Sequence, residues 1–246
     1  MMIDCASAQW RADIGVSVRG VSHREVDGAG RLLVREAGWL PGVALNLSHT
    51  AGDITWFGAL DGYRQAIGYD GRTQTGARAE STTATALAAL RMGVRHDLGH
   101  DAVLTAALET DRWKRSIRGT ATAAGLQERY RSERLLLGAG KTWRPAFAAL
   151  GADAAVVLST PERMQVGFSG LLDPASLETR RGVGARIGAR FRPAAAAALE
   201  LRSTLDWIRI ARSEDVAVTR DGHFAGTIAQ PEHTRAALTL TLSALF

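Results

Sequence analysis

Residues 233–246 read HTRAALTLTLSALF. Ala236, Leu238, Leu240, Leu242, Ala244 and Phe246 fall on one parity, while Arg235, Thr239, Thr241 and Ser243 fall on the other, where only Ala237 and Leu245 are apolar. Successive side chains of a strand point to opposite faces, so this stretch is a β-strand with one apolar and one polar face.

The same period of two recurs back to the start of the chain. Trp10, Ala12, Ile14, Val16 and Val18 alternate with Arg11, Asp13, Gly15, Ser17 and Arg19. A second strand over 41–49 carries Val43, Leu45 and Leu47 on one side, and a third sets Ile54, Trp56 and Leu60 against Phe57, Asp61 and Tyr63. A fourth runs to a turn at 96–101, with Leu90 and Met92 outward and Arg91 and Arg95 inward; a fifth follows with Leu104 and Leu108 against Thr105 and Glu109. A sixth falls in 126–141, a seventh in 146–159 and an eighth in 180–192. In the eighth, Val183, Ala185, Ile187, Ala189 and Phe191 interleave with Gly184, Arg186, Gly188 and Arg190, a pattern a helix would smear around its whole cylinder. The ninth sets Leu199, Leu201, Leu205 and Trp207 against Glu200, Arg202, Thr204 and Asp206, and residues 233–246 form the tenth.

Short connections at 50–53, 96–101, 141–145 and 193–195 alternate with long ones at 25–40, 69–81, 113–125, 160–179 and 211–232. Weak alternation in 163–170 makes twelve strands the alternative count. No run of about 18 apolar residues exists, which excludes a transmembrane helix but not a barrel strand of about 9 to 11 alternating residues. The net charge of +5 does not point to nucleic acid, because the arginines recur singly along alternating segments rather than in a basic run. No His or carboxylate cluster has metal spacing, and no cofactor is expected.

A chain whose final strand carries a Phe on the face of its leucines resembles the closing strand of a bacterial outer-membrane β-barrel. That resemblance implies an all-β fold: a closed antiparallel up-and-down transmembrane barrel in the Gram-negative cell outer membrane. It also implies that Phe246 is an assembly signal read by the barrel-assembly machinery, and that the protein is a monomer contacting outer-membrane lipid and lipopolysaccharide. Ala6, Ser7 and Ala8 have the A-x-A form that precedes signal-peptidase cleavage, so residues 1–8 are expected to be a residual signal-peptide stub and 9–246 a single barrel domain. Cys5, the only cysteine, would leave with that stub. Aromatic residues near segment ends, Trp10, Tyr69, Trp113, Tyr130, Trp143 and Trp207, fit interfacial girdles.

A ten-strand barrel is narrow enough for side chains to fill its lumen. Arg19, Arg91, Arg95, Arg186, Arg190 and Arg202 are expected to face that lumen with Asp61, Glu109, Glu200 and Asp206, either as a selective, porin-like anion path or as a structural ion-pair network. Arg112, Lys114, Arg115, Arg118, Arg129 and Arg131 are expected to form a basic outer loop that could hold lipopolysaccharide phosphates or another anionic ligand. A non-enzymatic barrel is the favoured reading. The alternative rests on Asp221 and His223, which resemble the Asp-x-His half of the omptin outer-membrane proteases, with Asp70 supplying a carboxylate. Here the dyad sits on the last outer loop rather than the one before it, and the omptin Asp-x-Asp pair is missing.

Overall fold

The structure is a computed structural model that describes residues 8–72, 77–121 and 123–246. Its strands are β1 (Gln9–Val26), β2 (Leu32–Ala51), β3 (Ile54–Arg72), β4 (Arg78–Asp97), β5 (Ala102–Ile117), β6 (Leu126–Trp143), β7 (Ala148–Ser159), β8 (Arg163–Gly167), β9 (Ala175–Glu178), β10 (Gly182–Pro193), β11 (Leu199–Ile210), β12 (Val216–Arg220), β13 (His223–Ile228) and β14 (Glu232–Leu245). The sheet runs antiparallel through β5-β4-β3-β2-β1-β14-β11-β10-β7-β6, and the β5–β6 pairing closes it, giving a barrel of ten strands. Val16 lies opposite Leu242 where first and last strands meet, and Leu108 lies opposite Leu135 at β5–β6.

An apolar belt surrounds the barrel. Val16, Met92, Leu108, Ile187 and Leu205 all point outward, with Leu108 68% exposed and Val16 67%. No water-soluble wall would expose so many large apolar side chains in one contiguous band, whereas lipid solvates them. Trp10, Trp56 and Trp143 stand outward toward the short-turn end of the belt, and Trp39 and Trp207 toward the other. Short turns and both chain ends mark the periplasmic side of such barrels.

Five strands are much longer than their alternating apolar segments suggest. β1 to β4 and β6 have 18 to 20 residues, about twice what a bilayer needs, so residues expected in outer loops at 25–40, 69–81 and 113–125 largely continue the wall. Above the belt the polarity of the two faces inverts. Outward positions become Arg64, Lys114 and Arg129, while inward positions become Tyr63, Ile67, Trp113 and Tyr130, because the outside of the wall there meets water and its inside meets core. Trp113 and Tyr130 are therefore not girdle residues: they are 4% and 3% exposed, packed with Met164, Val166 and Leu177. Tyr69 is half-buried.

The segment behind the twelve-strand count, 163–170, contains β8, which pairs with the outer end of β6 and with β9 rather than spanning the membrane. β12 and β13 form a separate hairpin. Met164, Val166 and Leu177, with Val216 and Ile228 beside them, complete an apolar core over the outer mouth. Residues 1–7 of the expected leader stub, Cys5 included, lie outside the described residues.

Candidate functional site

All ten charges expected in the lumen sit on inward positions. Glu109 on β5 is the hub. Arg186 donates to it through a two-pronged contact, Nη1 to Oε2 at 2.8 Å and Nη2 to Oε1 at 3.2 Å, while Arg134 Nη1 lies at 3.2 Å and Arg91 Nη1 at 3.7 Å. Arg134 also donates to Asp111 at 2.9 Å, Arg186 to Asp206, and Arg19 approaches Asp206 at 3.4 Å. Nearer the periplasm Arg202 bridges Glu200 at 2.6 Å and Asp13 at 2.5 Å, and Asn46 donates to Asp13 at 2.8 Å. Asp61 lines the same space without an ion pair among the described residues. Two cavities of about 130 and 90 Å³ remain.

A second buried polar cluster, above the apolar belt, is one the sequence reading missed. Arg115 on β5 is fully enclosed, with Nε 3.0 Å from Glu36 and Nη1 3.5 Å from Glu25, 2.5 Å from Glu128 and 3.0 Å from the Tyr130 hydroxyl. That hydroxyl donates to Glu128 at 2.9 Å. Arg115 therefore does not belong to the outer basic patch: odd positions on β5 face inward, and three carboxylates compensate its burial. Beside it, Arg235 grips Glu162 with two hydrogen bonds of 2.7 and 2.6 Å, Ser132 donates to the same carboxylate, and His233 Nε2 lies 3.3 Å away. His23 is 2.8 Å from Glu25 and edge-on to Trp113. These groups stand outside the lipid-facing band. Burial, then the neighbouring Arg115 charge, pushes His23 down to about 3, so its neutral ring donates to Glu25. Burial alone would raise Glu162, but Arg235 and His233 outweigh it and hold the carboxyl below its usual range. Glu128 is raised, chiefly by burial. The sequence signal for this cluster is the inward parity of Asp13, Ser17 and Arg19 carried on to His23 and Glu25.

The remaining basic residues face outward. Register places Arg64, Ala86, Lys114 and Arg129 in one row across β3 to β6, and Ala88, Arg112, Arg131 and Arg163 in the next. Lys114 is thus directly opposite Arg129, and Arg112 opposite Arg131. Among the described residues only Arg131 makes an ion pair in this group, with Glu133 at 3.0 Å. A groove of about 700 Å³ runs here, floored by Ala84 and Ala86 and walled by Arg64, Lys114 and Arg129. Arg118, just past the end of β5, is exposed beyond it.

Asp221 and His223 occupy the exposed turn of the β12–β13 hairpin, with Asp221 at φ 52° and Gly222 at φ 78°, the backbone of a tight Asp-Gly turn. Asp173, not Asp221, anchors that turn by accepting from the Gly222 N–H at 3.0 Å. Asp70 lies at the outer end of β3, bound by Arg78 at 2.9 Å. Among the described residues no hydrogen bond or ion pair joins these three side chains, and no group of three or more His, Cys, Asp or Glu is arranged to hold a metal ion.

Among solved structures, the chain is similar to the outer membrane protease OmpT from Escherichia coli, with a TM-score of 0.65, 10% identity and 96% of each chain covered. It is also similar to the translocator domain of the autotransporter NalP from Neisseria meningitidis, with a TM-score of 0.50, 12% identity, and coverage of 95% of this chain and 88% of that one. No protein-family model and no curated protein matches the sequence. Such identities speak to fold alone. With the apolar belt and the closed ten-strand wall, they define an integral β-barrel of the outer membrane.

Proposed function

We propose that this barrel is a non-enzymatic outer-membrane protein whose outer wall holds lipopolysaccharide phosphates and whose lumen is closed. The observation that carries the reading is Lys114 directly opposite Arg129, with Arg112 opposite Arg131 in the adjacent row. Like charges facing each other across strands destabilise a sheet in water. An anion seated between them removes that penalty, and the site lies just above the lipid belt, where the sugar phosphates of lipopolysaccharide sit. The interior supports closure. Ion pairs centred on Glu109 fill the middle of the lumen, and the apolar core around Trp113 covers it on the outer side.

The test is lipopolysaccharide binding by the protein refolded in micelles, read by native mass spectrometry. Wild type is expected to retain phosphorylated lipopolysaccharide, and Lys114→Ala/Arg129→Ala to lose most of it; equal retention, or equal binding of dephosphorylated lipopolysaccharide, contradicts the reading. A peptide-cleavage screen of wild type and His223→Ala addresses the protease alternative, which cleavage abolished by that substitution would favour.

A further inference from the structure

The two lumen cavities differ in how their charges are compensated. Around the smaller, the arginines face carboxylates: Arg19 and Arg186 meet Asp206, and Arg134 meets Glu109 and Asp111. Around the larger, Arg91, Arg186 and Arg202 turn to carboxylates beyond its lining, but Arg95 and Arg190 have no ion pair among the described residues. Among the described residues Arg190 Nε is buried without a hydrogen-bond partner, and Arg95 stacks over the Phe57 ring at 4.3 Å. Among the described residues Asp153 is the one carboxylate of the lining; it makes no ion pair there, its charge reaching Arg95 only from longer range.

Two glycines keep this space open. A Cβ on Gly188 would fall 2.6 Å from Asp153 Oδ1, and one on Gly151 would fall 3.0 Å from Arg190 Nε, so both charged side chains lie flat along the wall beside the cavity. Arg95 and Arg190 come shortly before the turns that follow β4 and β10, which puts the cavity at the periplasmic end of the lumen. Its volume of about 130 Å³ exceeds the ~30 Å³ share of one water several-fold and accommodates a small tetrahedral oxyanion. Two guanidinium groups that share a confined space with one carboxylate at longer range leave a net positive charge there, and an oxyanion relieves that cost with charge-assisted hydrogen bonds.

We propose that this periplasm-facing cavity binds hydrogen phosphate, its oxygens accepting from Arg95 and Arg190 and its P–OH donating to Asp153. Asp153 makes the site selective. An ionised carboxylate only accepts hydrogen bonds, so it welcomes an anion that carries a proton and repels sulfate, which carries none at neutral pH.

The experiment is calorimetric titration of lipopolysaccharide-free refolded protein in micelles with sodium phosphate and sodium sulfate, at near-neutral pH and matched ionic strength. Wild type is expected to bind phosphate saturably and at least about tenfold more tightly than sulfate. Arg95→Gln/Arg190→Gln should lose the binding, and Asp153→Asn should erase the preference; heat-modifiable gel mobility verifies that each variant is folded. Lys114→Ala/Arg129→Ala removes any phosphate held by the outer groove and should keep the sulfate-discriminating binding, which separates this site from that groove. No saturable phosphate binding by wild type, equal affinity for sulfate, undiminished binding by the folded double arginine variant, or loss of binding in the outer-groove variant would each overturn the assignment.

Discussion

Leu108 and Lys114 lie on the same outward face of β5, six residues apart, and between them the wall passes from lipid to water. At about 3.4 Å per residue the interval is roughly 20 Å along a tilted strand, enough to cross the interfacial region. On the inward face the change runs the other way, from Glu109 in the ion network to Trp113 in the apolar outer core.

This inversion predicts opposite responses to charge. Leu108→Lys should destabilise the barrel by about 2–4 kcal/mol in bilayers, whereas Lys114→Leu should change stability by less than about 1 kcal/mol. Equilibrium denaturant titrations in lipid vesicles read both.

Glu109 compensates three arginines at once, Arg91, Arg134 and Arg186. Its conversion to Gln should cost about 3–5 kcal/mol, since it leaves several buried cations short of a partner. Glu133→Gln, which removes an exposed pair with Arg131, should cost less than about 1 kcal/mol in the same titration.

His23 sets a pH dependence. Its folded pKa, about 3, lies below the ordinary histidine value of 6.5, so below that value the unfolded chain takes up a proton that the folded one does not. Stability is therefore lost as pH falls from about 6.5 toward 3, with a slope approaching 1.4 kcal/mol per pH unit from this residue. Thermal melts across that range should show a shallower slope for His23→Gln, and an unchanged slope would refute the assignment.

Much of the fold was legible because lipid-facing and lumen-facing positions alternate strictly within the belt: Val183 to Phe191 and Leu238 to Leu242 mark their strands without ambiguity. The alternating apolar signal ends at the belt, where the outward residues become Arg64 and Lys114; beyond it the wall has the composition of a loop, Trp113 and Tyr130 have the spacing of girdle residues, and Arg115 is indistinguishable in sequence from its outward neighbours. The lumen residues were legible by parity, but their partners were not. Whether Arg186 meets Glu109 across the barrel depends on closure and shear, which no local pattern encodes. The buried Glu162–Arg235 pair joins residues 73 positions apart for the same reason. The Asp221-Gly222-His223 spacing was a turn signal, since Asp-Gly is what a two-residue hairpin connection requires.

The most direct test is a nitroxide scan along the outward positions of β5. In a Cys5→Ser background single cysteines at Leu104, Ala106, Leu108, Thr110, Arg112, Lys114 and Ser116 are labelled in reconstituted vesicles, and collisions with oxygen and with a water-soluble nickel complex are compared. Oxygen should dominate through Leu108 and the nickel complex from Lys114 onward, with the crossover between them. Equal access of the nickel complex along the whole series, or lipid-like values persisting at Lys114 and Ser116, would contradict the account.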